Sequence, residues 1–170
     1  MRISGVGGLG LLGLAVAFTP TPAGGQDSSG KPVPPKWSIT CASASVDADL
    51  QCRMTQELFT AEGRQRVLAV TVARSAESGF EMILAIPHGA MLTAGLALKI
   101  DDREPVKVAI EWSNAAGVYA RIPLDEALGS AVKRGNTMSV GITNRSGGLV
   151  QIPVTLAGFT AGLGRITALK

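Results

Sequence analysis

The single histidine of the chain, His88, is the first residue to test for catalytic chemistry. A serine hydrolase would need this imidazole near a carboxylate and beside a serine, such as Ser38, Ser139 or Ser146. No Gly-x-Ser-x-Gly motif, which holds the nucleophile of many hydrolases on a sharp turn, is present. His88 stands between a proline and a glycine, a sequence typical of a loop. We therefore predict that His88 is a surface loop residue.

Two pairs of neighbouring acidic residues are the next candidates, because paired carboxylates can act as general acid and base. Asp101 and Asp102 are adjacent at a predicted strand end, so their side chains point to opposite faces. Asp125 and Glu126 begin a predicted helix, where negative charge is favourable. A metal site lacks ligands, since His88 alone cannot complete a set of four. The sequence predicts no catalytic, cofactor-binding or metal-binding residues and no cofactor.

The chain has two cysteines, Cys41 and Cys52, with ten residues between them. An even pair in an exported protein indicates a disulfide. Closing a loop of this length contributes about 3 kcal/mol in the chain-entropy model. Free thiols or a catalytic dithiol remain alternatives, although redox pairs usually have the Cys-x-x-Cys spacing. We predict a structural disulfide that fixes the start of the folded domain.

The N-terminal region predicts export. Arg2 precedes an uncharged, glycine-rich run from Gly5 to Phe18, and small residues follow. This order is typical of a Sec-type signal peptide, predicted over residues 1–25. The alternative, a transmembrane anchor, needs about 20 apolar residues. Residues 26–36 are polar and then proline-rich, which predicts a flexible tether before a domain of residues 37–170. We therefore expect a periplasmic or secreted protein, with no transmembrane segment in the mature chain.

The pattern after residue 36 predicts an all-β domain. Apolar and polar residues alternate with a period of two, as in half-buried strands. A short helix is predicted near residues 124–134, and the tail Phe159–Leu169 is predicted as a short amphipathic turn. Pro153 indicates an edge strand or a bulge. This spacing favours an antiparallel sandwich or barrel. Eight or nine strands are predicted, over Trp37–Cys41, about Gln51–Phe59, Arg66–Ala73, Phe80–Ile86, Leu96–Ile100, Val106–Trp112, Val118–Ile122, Met138–Thr143 and Val150–Leu156.

Four stretches of the chain, in this order, carry a family resemblance. They are the Trp37-x-x-x-Cys41 opening with Cys52, LAIPHGAMLTAGLALKID (Leu84–Asp101), AAGVYARIPLD (Ala115–Asp125) and VQIPVTLAGFTAGLGRI (Val150–Ile166). Together they resemble the invasion-associated locus B family of exported bacterial proteins. The resemblance implies an immunoglobulin-like β-sandwich in the periplasm or outer envelope, with a role in envelope function and, in pathogenic relatives, in contact with host cells.

The chain departs from the pattern of that family at two places. The family usually carries a second cysteine pair, and the corresponding positions here are Ser113 and Val118. His88 stands where the family tends to have an aliphatic residue. The second disulfide is therefore expected to be absent, so that packing alone holds this strand pair.

Three functions remain open. We expect a non-catalytic exported envelope protein that acts through protein–protein or host contacts. The alternatives are a periplasmic accessory factor that assists folding or assembly of envelope proteins, and a small secreted enzyme. The formal net charge of +3, without a run of four basic residues, argues against nucleic acid as the main partner. A pocket lined by His88 and a carboxylate would favour the enzyme, and an exposed apolar groove or unpaired edge would favour the accessory factor.

Overall fold

The computed structural model describes residues 36–76 and 79–169. The predicted signal peptide, residues 1–25, lies outside the described residues, as does the predicted tether apart from Lys36. No helix in the described ranges is long and apolar enough to cross a membrane.

In these described ranges ten strands form two antiparallel sheets, which confirms the predicted β-sandwich. The larger sheet has the order β1-β2-β3-β4-β8-β7, and the smaller has the order β10-β9-β5-β6. A single 3₁₀ turn, Leu92–Ala94, precedes β5. The strands are β1 Ser38–Ala42, β2 Gln51–Phe59, β3 Arg66–Ser75, β4 Gly79–Ile86, β5 Leu96–Ile100, β6 Val106–Val108, β7 Ile110–Asn114, β8 Gly117–Pro123, β9 Thr137–Thr143 and β10 Leu149–Thr155.

The core lies between the sheets and is built from alternate residues of paired strands. In the larger sheet Met54, Val72 and Met82 stand opposite one another and are fully buried. In the smaller sheet Val140 and Leu98 are paired and buried in the same way. Alternation puts every second side chain on the inner face, so these aliphatic rows meet across the sandwich.

Two helices lie outside the sheets. Helix α1 spans Glu126–Arg134, which confirms the predicted helix, and the Asp125 carboxylate caps it by accepting a hydrogen bond from the Leu128 amide at 2.7 Å. Helix α2 spans Phe159–Ala168, so the tail forms a full helix rather than a short turn. Its two glycines, Gly162 and Gly164, have low helix propensity, so the sequence pattern does not predict a helix here. One of them, Gly162, leaves room for the Met54 side chain of β2.

The predicted strand Val106–Trp112 was wrong, because the chain changes sheets within it. Val108 pairs with Leu96 in the smaller sheet, whereas Ile110 pairs with Ala120 in the larger sheet. The crossing falls at Ala109, between β6 and β7. Both sheets bury alternate residues, so the apolar period continues through the crossing and gives no sign of it.

Candidate functional site

The candidate catalytic residues are not brought together. His88 lies in the loop after β4, and its Nε2 atom is 3.0 Å from the carbonyl oxygen of Asn114, the last residue of β7. The Ser38 hydroxyl donates to the carbonyl of Thr55, on the neighbouring strand. In the part of the chain that the structure describes, no hydrogen bond joins His88 to a serine or a carboxylate. His88 is not among the residues that line the groove between β6, β8 and α1.

The acidic candidates serve the local fold. The Asp101 carboxylate accepts hydrogen bonds from the backbone amides of Asn136 and Thr137, which ties the end of β5 to the start of β9. Asp101 adopts a left-handed backbone with φ of 47°, a conformation that aspartate tolerates better than most residues. Asp125 caps α1. Among the described residues, no three His, Cys, Asp or Glu side chains are grouped so that they could hold a metal ion.

One lateral side of the sandwich, called the closed side, is formed by β1, β2, β10 and α2. Cys41 and Cys52 stand directly opposite each other on β1 and β2, and a disulfide joins them. Phe159 of α2 is fully buried and meets Trp37 edge-on, with ring centroids 5.3 Å apart. Helix α2 packs against β1 and β2. Aromatic packing and a covalent link therefore close this side.

The closed side also holds a buried polar group. The indole nitrogen of Trp37 and the amide nitrogen of Gln56 both donate to the carbonyl of Thr155, at 3.2 and 3.1 Å. Gln56 is fully buried, and its Oε1 atom has no hydrogen-bond partner in the described structure. Thr155 is the last residue of β10, so these two bonds join the two sheets at their edge.

The opposite lateral side, called the open side, is formed by β6, β7, β8 and α1. A groove of about 710 Å³ runs between the end of β8, α1 and β6. Leu98 and Ile100 of β5 line it, and its charged lining residues are Arg103, Glu104, Lys107, Arg121 and Asp125. The other apolar groups of its wall include Val106, Val108, Ile122, Leu128 and Ala131.

Val106 shows that the open side lacks a covering element. It pairs with Leu98, whose side chain is buried on the inner face of the smaller sheet, so Val106 belongs to the same inner row. Val106 is nevertheless 56% exposed. Ile122 and Leu128, in the facing wall of the groove, are only partly buried. The exposure of this inner-face residue shows that the space between the two sheets is not covered beside β6.

A bulge in β7 places the side chains of Glu111 and Trp112 beside this groove. The pairing of β7 with β8 shifts between Ile110 and Trp112, so Glu111 and Trp112 lie over the same outer face. Trp112 is 37% exposed and stacks on Tyr119, with an interplanar angle of 2° and ring centroids 5.2 Å apart. Sequence analysis missed this pair because alternation alone puts residues 111 and 112 on opposite faces.

Arg121 connects the aromatic pair to the groove. Its guanidinium lies 5.5 Å from the Trp112 ring centroid and forms a salt bridge with Glu111 at 2.8 Å. A second, longer ion pair reaches Glu81 at 3.8 Å. Arg121 is also part of the groove wall. Trp112, Tyr119 and Arg121, called here the aromatic cluster, therefore form one continuous surface with the groove.

Comparison with known proteins decides the family. The family model described as "Invasion associated locus B (IalB) protein" matches residues 37–167. The chain belongs to the invasion associated locus B family. Two Brucella abortus proteins named invasion protein B homolog, from strain 2308 and from biovar 1 strain 9-941, are each 31% identical to it over 134 residues, covering 78% of this chain and 76% of each relative.

A solved structure shares the fold. The crystal structure of invasion associated protein B from Bartonella henselae matches with a TM-score of 0.69 and 23% identity, over 81% of this chain and 94% of that chain. The predicted family and the predicted fold class are therefore confirmed. Ser113 and Val118, the two positions assigned to a second cysteine pair, are direct partners across β7 and β8.

Proposed function

We propose that this chain is an exported, non-catalytic envelope protein that works by binding another protein through its open side. The observation that carries the proposal is the aromatic cluster. Trp, Tyr and Arg are the residues most enriched among those that dominate binding energy at protein interfaces. Here one of each lies on the last two strands of the larger sheet, Trp112 on the edge strand β7 and the other two on β8, and Trp112 is 37% exposed.

Several observations support export. Disulfides persist in oxidising compartments, and the Cys41–Cys52 bond fits such a location. The leader at residues 1–25 is proposed as a cleaved signal peptide and residues 26–36 as the tether to a domain that begins at Trp37. The names of the relatives associate those proteins with invasion. For this chain the partner is proposed to be a protein of the envelope or of a host cell.

Affinity capture from solubilised envelope proteins tests the role of the aromatic cluster. Wild-type protein is expected to retain a discrete set of proteins, and Trp112→Ala is expected to lose most of it because the stacked surface is removed. Phe59→Ala is the matched control, since Phe59 is also an exposed aromatic residue of the larger sheet, at 50%, but lies on β2. Equal capture by Trp112→Ala and wild type, or specific loss in Phe59→Ala alone, would refute this assignment.

A periplasmic accessory factor is a second candidate, and the apolar groove beside β6 favours it. Transient exposure of apolar segments is what makes unfolded envelope proteins aggregate, and a groove lined by Val106, Ile122 and Leu128 offers such segments a cover. Light scattering of a urea-denatured porin diluted into buffer tests this role. Slower aggregation with equimolar protein supports the accessory factor. Unchanged aggregation, together with stable capture of a folded partner, leaves the envelope-binding role alone.

A further inference from the structure

We infer that the groove binds an extended segment of the partner protein, which adds a strand to the edge at β6 and places its alternate apolar side chains between the sheets. This inference rests on the proposed protein-binding function and names the form of the partner. It also makes the groove and the aromatic cluster two parts of one interface.

The first support comes from the backbone of β6. In the described structure this strand is the edge of the smaller sheet, paired with β5 and with no strand on its other side. An edge strand exposes unpaired backbone donors and acceptors, which an extended peptide can satisfy. The chain enters β6 from Pro105 and leaves the sheet after Val108, so the edge is short.

The second support is the position of the apolar groups. Val106 and Val108 point inward on alternate positions of β6, and Val106 is exposed for want of a neighbour. A strand laid along β6 would direct every second side chain onto Val106, Ile122 and Leu128. Burying these partly exposed side chains gives the binding free energy, and the backbone pairing gives the register.

The third support is the charge of the rim, which fits a polypeptide better than a lipid. The lining charges are of both signs, Arg103, Lys107 and Arg121 against Glu104 and Asp125, with Arg121 paired to Glu111 and Asp125 capping α1. No ion pair within the described residues involves Arg103 or Glu104. An anionic headgroup would meet Glu104 as well as Arg103. A peptide with mixed charges beside its apolar positions complements both.

The other edge of the smaller sheet provides the contrast. Val150 on β10 is 49% exposed and lies on the same inner face, in the row of Ile142 and Leu96. Strand β10 contains Pro153, which has no amide hydrogen to donate to an added strand. The residue types at the two exposed edges are therefore similar, but only β6 is free of proline.

Selection of displayed peptides tests the inference. The probe is a phage library of random dodecapeptides, selected on the purified wild-type protein. The expected result is enrichment of peptides with apolar residues at i, i+2 and i+4. Their affinity should fall at least about tenfold, or 1.4 kcal/mol, in Val106→Lys and stay unchanged in Val150→Lys. Both valines are about half exposed, so both variants should fold, and circular dichroism with melting curves checks this.

Three results would overturn the inference. No enrichment shows that the groove does not take peptides. Enrichment with helical i, i+3, i+4 and i+7 spacing replaces the strand with a helix. Saturable binding of oleate that is lost in Val106→Lys assigns the groove to an acyl chain. In each case capture through Trp112 tests the proposed function separately, because that residue lies outside the groove wall.

Discussion

The two lateral sides of this sandwich are built from similar strands but are finished differently. On the closed side helix α2 and the Trp37–Phe159 contact cover the gap between the sheets around Trp37, and a disulfide joins β1 to β2, although Val150 at the other end of β10 stays 49% exposed. On the open side an inner-face valine remains 56% exposed and a groove enters the core. From this difference we predict that substitutions on the closed side change unfolding, and that those on the open side change binding to the proposed partner.

The largest expected effect is on the closed side. Phe159→Ala should lower the free energy of unfolding by about 3–5 kcal/mol, because it removes a fully buried ring and leaves a cavity beside Trp37. Trp112→Ala on the open side should cost less than about 1 kcal/mol, since that ring is partly in solvent. Urea unfolding measures both. Similar losses for the two variants would remove the distinction between the sides.

The disulfide gives the next largest effect. Cys41→Ala combined with Cys52→Ala should reduce stability by about 3 kcal/mol, because the unfolded chain loses a constraint. Replacing both residues avoids a free thiol. Thermal melts of the wild type should fall to those of the double variant when dithiothreitol is added. A melting temperature that neither substitution nor reduction changes would show that the bond contributes nothing to the closed side.

An engineered disulfide on the open side further tests the difference between the two sides. Ser113→Cys with Val118→Cys joins direct partners of β7 and β8, the same relation that Cys41 has to Cys52. The short loop predicts a gain of about 2 kcal/mol under oxidising conditions. Binding through Trp112 should be retained, because the link lies within the same hairpin. Thiol titration checks that the bond forms, and a stability loss would indicate that the hairpin resists the bond.

The smallest effect concerns the Thr155 carbonyl, which accepts from both Trp37 and Gln56. Gln56→Met should change stability by less than about 1 kcal/mol, because Trp37 still satisfies that carbonyl and an unpartnered amide oxygen is removed. Trp37→Phe in the Gln56→Met background should cost about 1–3 kcal/mol more than the single changes predict, since the carbonyl then has no donor. Strict additivity in this double-mutant cycle would show that the two bonds are independent.

Local sequence patterns predicted most of the fold. Alternation located the strands to within a few residues, and Asp125 located the start of α1. The same patterns failed where tertiary contacts determine the secondary structure or the sheet to which a strand belongs. The sheet change at Ala109 preserves the apolar period, and α2 forms against β2 despite its glycines. These are cases in which packing overrides local propensity.

The candidate site was harder to predict than the fold. Trp112 and Tyr119 are seven residues apart in a pattern that gives no sign of stacking, and a bulge puts Glu111 and Trp112 over one face. The exposure of Val106 follows from the absence of a neighbouring strand, which a period of two cannot report. Sequence patterns predict which residues of a strand face the core, whereas the site depends on which of these side chains the assembled sheets leave exposed.

Site-specific photo-crosslinking at the two exposed edge valines tests the central claim most directly. A photoreactive amino acid is placed at Val106 in one variant and at Val150 in the other, and cells that express the protein are irradiated. Val106 should give a discrete crosslinked product with an extended partner segment mapped by mass spectrometry, and Val150 should give little. Equal crosslinking at both positions, or a product at Val150 alone, would contradict the assignment of binding to the open side.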